Sequence, residues 1–361
     1  MENLVTLPHL QSYYKGKKVF ITGHTGFKGA WLSAVLHLAG ARVMGYALEP
    51  EYPNSLFERL QPLRITEGSI ADIRDRERLQ KELRAFQPDF IFHLAAQPLV
   101  RRSYEIPAET FDVNVTGTAN LLEAASKLEG SCTIIVITTD KVYENREKNI
   151  LYTEEDALGG FDPYSASKAA AELVVNAFRN SFFHPGRFAV HKKSVATARA
   201  GNVLGGGDWS RDRIIPDIVR ALQENREVDV RNPGAVRPWQ HVLEPIGGYL
   251  LLGARLQQGP SGFPKAFNFG PQAEDHLSVR EVVELAIACW GEGRWNTRES
   301  PNAPHEAGLL QLDIGRALAE LQWKPKLNSA EAVRWTIDWY RQPADRQALF
   351  TFDQIKTYLS L

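Results

Sequence analysis

Tyr164 and Lys168 stand four residues apart in the run Tyr164-Ser165-Ala166-Ser167-Lys168. On a helix, positions i and i+4 share a face. A lysine cation beside a phenol favours the phenolate and lowers a pKa that starts near ~10. A tyrosine so placed can take the proton of a hydroxyl as hydride leaves the same carbon. A second cluster, Thr138-Thr139-Asp140-Lys141, ends a β-branched, apolar run at 133–139. Two hydroxyls, an acid and a base emerging from a buried strand are poised for proton transfer. Alone, the same pattern also describes a strand-terminal loop with an aspartate turn cap.

These residues need a scaffold, and the stretch Val19-Phe20-Ile21-Thr22-Gly23-His24-Thr25-Gly26-Phe27-Lys28-Gly29 supplies its first element. It reads as a buried strand, a glycine-rich turn and a helix start. Gly23 permits the tight turn, Gly26 lets a pyrophosphate approach the backbone, and Gly29 lets the helix pack on the sheet. The helix N-terminus offers free N–H groups to phosphate. Strands are expected at 18–22, 42–47, 64–67, 89–94, 133–139 and 195–200. Helices are expected between them at 30–39, 75–85, 105–128 and 164–181. This alternation predicts an α/β fold with a Rossmann-type, doubly wound parallel sheet. Ligands of such sheets bind beyond the carboxyl ends of the strands, where both polar clusters fall.

After Gly201 the texture changes to glycines, tryptophans and prolines, followed by helical patterns at 278–290, 314–321 and 330–340. Residues 1–200, with about 237–262 returning to them, are expected to form the dinucleotide-binding domain. Residues 201–236 and 263–361 are expected to form a smaller, mostly C-terminal α/β substrate lobe. A chain of 361 residues exceeds the size of a single core, which rarely grows beyond ~250–300 residues. The net charge of −1 points to no nucleic-acid or membrane partner. Two cysteines, Cys132 and Cys289, make no disulfide framework, in keeping with a reducing cytoplasm. Asn114-Val115-Thr116 matches a glycosylation sequon by chance, since no export signal precedes it. In the second lobe Arg199, Asn202, Arg213, Arg237, His241, Asn268 and His305 are polar candidates. Arginines suit bidentate recognition of phosphates, asparagines suit sugar or base edges, and Trp209 and Trp239 suit ring stacking.

The set T-G-H-T-G-F-K-G, F-H-L-A-A-Q (92–97), T-D-K (139–141), Y-S-A-S-K (164–168) and R-A-G-N-V (199–203) resembles the extended short-chain dehydrogenase/reductase family. Within it the likeness is to the CDP-glucose 4,6-dehydratase branch. That likeness is carried by Gly26-Phe27-Lys28-Gly29, Gly205-Gly206-Gly207-Asp208-Trp209 and Arg237-Pro238-Trp239-Gln240-His241-Val242. The resemblance covers about residues 15–340. It implies one tightly held NAD, recycled in place, and a CDP-glucose substrate. C4 is oxidised, water is lost across C5 and C6, and C6 is reduced.

By resemblance, Tyr164 and Lys168 oxidise C4, Thr139 bonds the C4 oxygen, and Asp140 is the acid at the C6 hydroxyl. Lys141 replaces the usual glutamate as the C5 base, or it remains charged and stabilises the enolate. To be half neutral at pH 7 a lysine must drop about three pKa units, at roughly 4–5 kcal/mol. NAD contacts fall on Gly23, His24, Thr25, Gly26, Phe27, Lys28, Gly29, Asp72, Ile73, Leu94, Ala95, Ala96, Asn114, Tyr164 and Lys168. Substrate contacts fall on Gln97, Asn202, Arg213, Arg237, His241, Asn268 and His305. No acid closes the second strand near Ala47, so that end does not separate NAD from NADP. No metal is implied. Relatives pair two long helices into a homodimer, and the equivalent stripes are Val113, Leu121, Leu122, Ala125 and Ala169, Leu173, Val174, Ala177. A dimer and a tetramer both fit. Lys28 is open between a phosphate contact and a solvent-facing charge. A 4-epimerase shares the tyrosine, lysine and NAD but needs no pair like Asp140-Lys141.

Overall fold

The computed structural model describes residues 4–146, 150–263, 265–297 and 310–361. Its principal elements begin with α1 (Leu7–Tyr14), β1 (Lys18–Thr22), α2 (Phe27–Leu38), β2 (Arg42–Ala47) and β3 (Glu67–Ile70). They continue with α3 (Arg76–Phe86), β4 (Phe90–His93), α4 (Gly117–Ser126), β5 (Cys132–Ile137), α5 (Pro163–Ser181) and β6 (Lys193–Ala200). They end with α6 (Ile214–Gln223), α7 (Leu243–Gln258), β7 (Ala266–Phe269), α8 (Val279–Trp290), α9 (Ser329–Tyr340) and α10 (Gln347–Ser360). Among the described residues, seven strands make one sheet in the order β7-β6-β5-β4-β1-β2-β3. Every pairing in it is parallel.

The order reverses at β1, whose Thr22 pairs with Tyr46 on one side and His93 on the other. That reversal opens a crevice at the carboxyl ends of β1 and β4. Side chains alternate across the sheet with period two. Val19, Ile21, Phe90, Phe92, Ile135 and Ile137 join one core, with α2 and α7. Phe20, Ile91, Ile134 and Val136 join the other, with α3, α4 and α5. With apolar helices on both faces, β5 is buried at every position, as an interior parallel strand must be.

Several elements depart from the expected ones. The third strand lies at Glu67–Ile70, later than 64–67. The helix expected at 105–128 is broken. Val100–Glu105 and Pro107–Phe111 are separate helices, and a π segment at Asp112–Thr116 leads into α4. Pro107 starts its helix because its ring cannot continue the preceding one. Ala266–Phe269, assigned by sequence to the second lobe, is instead a strand of the main sheet beside β6. The lead-in before residue 16 contains α1, and the final twenty residues contain α10. Both lie on the α2 side, where Phe352 of α10 meets His37 at 6.0 Å between ring centroids.

Candidate active site

The glycine turn is a cradle that side chains would fill. Gly23 has φ +79°, and a β-carbon there would lie 2.7 Å from the Ala95 nitrogen. A β-carbon on Gly29 would lie 2.1 Å from the Gly23 oxygen, so α2 packs onto the strand end only because that position is bare. Gly26, the residue before α2, is exposed, leaving the helix N-terminus open to a ligand. Thr25 donates to the Leu48 carbonyl at 2.8 Å. His24 slots over Gly45 and Gly68 and meets Phe57 edge-on at 5.2 Å. Burial drives its pKa down to about 4, so it is neutral. The Phe27 ring faces Gly205.

Loop residues 94–97 form the opposite wall. Thr22 Oγ1 accepts from the backbone nitrogens of Leu94 and Ala95, both at 3.2 Å, and pairs with His93 Nδ1 at 2.7 Å. Asn114, in the π segment, accepts from Gln97 N at 2.9 Å and donates to Gln97 O at 3.1 Å and Ser167 Oγ at 2.8 Å. It therefore ties the loop through Ala96 to the turn of α5 that carries Tyr164 and Lys168. It is 1% exposed, which bars glycosylation. A π bulge at a functional site is a recurring device. Asp72 is held by Arg74 at 2.6 Å, and Ile73 is buried against Gly117.

The proton-transfer groups converge where β5 ends and α5 begins. Asp162 caps α5, accepting from Ser165 N at 3.0 Å, and Pro163 opens the helix. Tyr164 and Lys168 are both buried on its inner face. Thr139 draws the Tyr164 phenol's pKa down and donates to Asp140 Oδ1 at 2.9 Å. Lys141 Nζ is 3.5 Å from the same oxygen; the Lys141 side chain is 32% exposed and that of Asp140 only 2%. Burial pushes the Tyr164 phenol up to about 12, against the pull of Thr139 and Arg213. This corrects the expected lowering by Lys168. The lysine ammonium donates instead to the Ile137 carbonyl at 3.2 Å. Burial brings Lys168 itself down to about 8, opposed by Glu172.

Lys28 is half-buried, with its side chain turned toward the site. Its ammonium interacts electrostatically with Arg213, Asp140, Lys168 and Lys141. Burial first, then the neighbouring cations, lower its pKa to about 7. Arg213 reaches the same space and lies 3.9 Å from Asp208. Asn202 points a buried, unpartnered Nδ2 from the residue after Gly201, which touches Asp140. Arg237 lines a cleft with Gln272, Asp275 and His276. Lys28, Lys141, Lys168 and Arg213 form one cationic basin near the Asp140 carboxylate, suited to a diphosphate and a sugar.

Other expected substrate residues are placed elsewhere. His241 is 0% exposed, edge-on to Trp31 at 5.7 Å and Trp335 at 5.6 Å, and belongs to the core. Asn268 is also 0% exposed. It donates to Tyr152 O and Asp313 O, both at 3.0 Å, and accepts from Tyr143 OH at 2.7 Å. Gln97 donates to Leu99 O at 3.1 Å and Thr110 Oγ1 at 2.9 Å, so it shapes its own loop. Trp239 is 6% exposed and so presents no free stacking face, whereas Trp209 is half-buried and donates to Asn54 O at 2.8 Å. Arg199 is in β6, bonded to Glu172. His305 lies outside the described residues. Sequence reasoning missed Glu172, although an acid four residues beyond Lys168, on the same helix face, was a visible signal.

Among the described residues no group of His, Cys, Asp and Glu is arranged to hold a metal. No helix of the described residues is long and apolar enough to cross a membrane.

The comparisons with known proteins agree with this geometry. A family model described as GDP-mannose 4,6 dehydratase matches residues 20–336. The chain is 46% identical to a CDP-glucose 4,6-dehydratase of Salmonella typhimurium over 331 residues, covering 92% of each. It is 30% identical to a dTDP-glucose 4,6-dehydratase of Streptomyces antibioticus, over 76% of this chain and 75% of that one. The solved dTDP-glucose 4,6-dehydratase of Streptomyces venezuelae, with NAD bound, superposes with a TM-score of 0.75 at 25% identity, covering 90% of this chain and 97% of that one. By fold, motif and extent of match, this chain belongs to the GDP-mannose 4,6 dehydratase family, within the extended short-chain dehydrogenase/reductases.

Proposed function

We propose that the chain converts CDP-glucose to CDP-4-keto-6-deoxyglucose with NAD as a recycled cofactor. The carrying observation for the elimination is the Asp140–Lys141 pair at 3.5 Å, with Thr139 bonded to the same Asp140 oxygen. The 46% identity to a CDP-glucose 4,6-dehydratase supports this sugar nucleotide.

NAD fits the bare cradle. Gly23, His24, Thr25, Gly26, Phe27, Lys28 and Gly29 would receive its pyrophosphate at the N-terminus of α2. Asp72, Ile73, Leu94, Ala95, Ala96 and Asn114 would line its adenosine and ribose side, and Tyr164 and Lys168 its nicotinamide ribose. When bound, it supplies the acceptor, and later the donor, of one hydride.

The chain's own groups move the protons. Tyr164 takes the proton of the C4 hydroxyl, and Thr139 holds the C4 oxygen. Thr139 and Arg213 pull the Tyr164 phenol down against its burial, which holds it near 12 in the free protein. The resulting C4 ketone acidifies the C5 proton. With the proton of the Lys141–Asp140 pair moved onto Asp140, the neutral Lys141 amine takes the C5 proton and the Asp140 carboxylic acid protonates the departing C6 hydroxyl, which leaves as water. Reprotonation at C5 completes the product. Asn202, Arg213 and Arg237 hold the diphosphate and sugar.

The active form we propose is a homo-oligomer in a reducing cytoplasm. Exposed Leu173 (59%) on α5 and Phe111 (39%) on the preceding helical layer supply an apolar face for a second copy.

The test is incubation with CDP-, dTDP-, GDP- and UDP-glucose in D₂O, followed by NMR. A 6-deoxy-4-keto product with deuterium at C5, from the CDP sugar alone, is expected. No turnover of CDP-glucose overturns the substrate assignment, and a 4-epimer without water loss overturns the reaction.

A further inference from the structure

Glu172 has no place in the chemistry above, yet it is among the most completely engaged acids in the chain. It lies on α5 one turn beyond Lys168, on the same face. The side chain is 5% exposed. Oε1 accepts from Thr138 Oγ1 at 2.6 Å and Arg199 Nε at 2.9 Å, and Oε2 from Thr197 Oγ1 at 2.7 Å and Arg199 Nη2 at 3.1 Å. Four donors saturate a carboxylate's acceptor sites.

These bonds clamp the strands under the catalytic centre. Lys168 holds the Ile137 carbonyl, and Glu172 holds the next residue, Thr138. Thr138 leads directly into Thr139, Asp140 and Lys141. Arg199 pins the carboxylate from β6 and extends the network through Nη1 to Tyr143 OH at 2.9 Å. A simple stabilising ion pair would not need to meet the end of β5 one residue from the reacting groups. Buried pairs frequently add little net stability, because desolvation offsets their attraction.

We infer that Glu172 is a positioning residue: it fixes the Thr139–Lys141 turn in register with Tyr164 and Lys168, and supplies the negative charge that lets the buried Lys168 remain an ammonium. The charged and titratable groups facing Glu172 are Arg199 on β6 and Arg179 and Lys168 on α5, with Tyr143 bonded to the far side of Arg199. Those facing Lys168 are Glu172, Lys28 and His93, and burial keeps His93 neutral. With Glu172 neutralised, Lys168 faces only cationic or neutral groups and the Arg199 cation is left unpaired. Lys168 then loses its proton at lower pH.

The inference rests on Tyr164 and Lys168 being the oxidising pair, which Tyr164→Phe tests separately: retained turnover removes that assignment. The experiment measures kcat, KM and the pH profile of NAD-loaded Glu172→Gln with CDP-glucose. Expected are a kcat loss of about ten- to a hundredfold, a KM within about threefold, and an alkaline limb moved down by about one pH unit. Adding Arg199→Met to that variant moves the limb part of the way back. A limb that stays at the wild-type pH overturns the inference, whatever happens to kcat. Should Glu172→Gln fail to fold, Thr138→Val removes one bond and keeps the ion pair. A several-fold kcat loss at constant KM is then expected, and an unchanged kcat overturns the positioning role.

Discussion

Asp140 lies against Gly201: a β-carbon on Gly201 would sit 3.1 Å from Asp140 Oδ2 and 3.2 Å from Pro238 Cγ. The end of β5, the end of β6 and the Arg237-Pro238 segment therefore meet at one carboxylate. Gly201→Ala forces that carboxylate or the proline to give by a few tenths of an ångström. Misplacing a proton donor by less than an ångström lowers turnover steeply. A loss of about tenfold in dehydration with an unchanged melting profile is expected. Wild-type turnover in this variant would show that the acid does not depend on the contact.

Lys141 stands at the mouth of the site, partly exposed, with its ammonium 3.5 Å from Asp140. Lys141→Met removes the base or stabiliser and leaves the glycine cradle untouched. Water loss is expected to vanish in a stopped 4-keto-6-deoxy product assay, while NAD binding by calorimetry remains. Full dehydratase turnover would refute the role proposed for Lys141.

The cradle gives a contrasting pair. A β-carbon on Gly29 would collide with the Gly23 carbonyl at 2.1 Å, whereas one on Gly26 meets only the Gly23 oxygen at 3.4 Å. Gly29→Ala is expected to destabilise the fold by roughly 2 kcal/mol or more. Gly26→Ala is expected to fold normally and bind NAD about tenfold or more weakly, because its methyl occupies the pyrophosphate's approach. Denaturant melts and cofactor titration distinguish them, and equal effects in both assays would contradict the placement of the cofactor.

Glu244 on α7 accepts from the backbone of Lys326 and Leu327, at 3.0 and 2.7 Å, and from Tyr358 OH at 2.9 Å. It thereby ties the C-terminal helix to the sheet's cover. Burial raises its pKa to about 7. The folded state then holds a proton that the unfolded chain releases above pH ~4.3. The stabilisation is fully present below that pH and is lost as pH rises through about 7. Glu244→Gln lacks this dependence. Relative to wild type, the variant is expected to gain roughly 3–4 kcal/mol between pH ~4.5 and ~8. Parallel stability curves from urea unfolding would reject the assignment.

Local chemistry made the centre of the protein readable in advance. Gly23, Gly26 and Gly29, the period-two apolar strands, and the four-residue spacing of Tyr164 and Lys168 each encode a backbone geometry that neighbours along the chain dictate. The turn Thr139-Asp140-Lys141 was readable for the same reason, since it follows directly from a buried strand. Residues joined only through space were not. His241 looked like a ligand-binding imidazole until Trp31 and Trp335 enclosed it. Asn268 looked like a base-reading amide until Tyr143, Tyr152 and Asp313 consumed its hydrogen bonds. Arg199 looked like a phosphate ligand until it was seen across from Glu172.

Lys28 shows the division most clearly. Its place between two glycines was plain from the chain, but whether its ammonium faced water or the reacting groups was not. Spacing along the chain specifies which residues share a turn, a strand end or a helix face. Burial and the sign of the surrounding charge come from elements far apart in sequence. Here α2, the end of β5, α5 and the segment carrying Arg213 together bring Lys28, Lys141, Lys168 and Arg213 near Asp140. Only their packing decided that a lysine beside the glycine turn would lie near Asp140, Lys141 and Lys168.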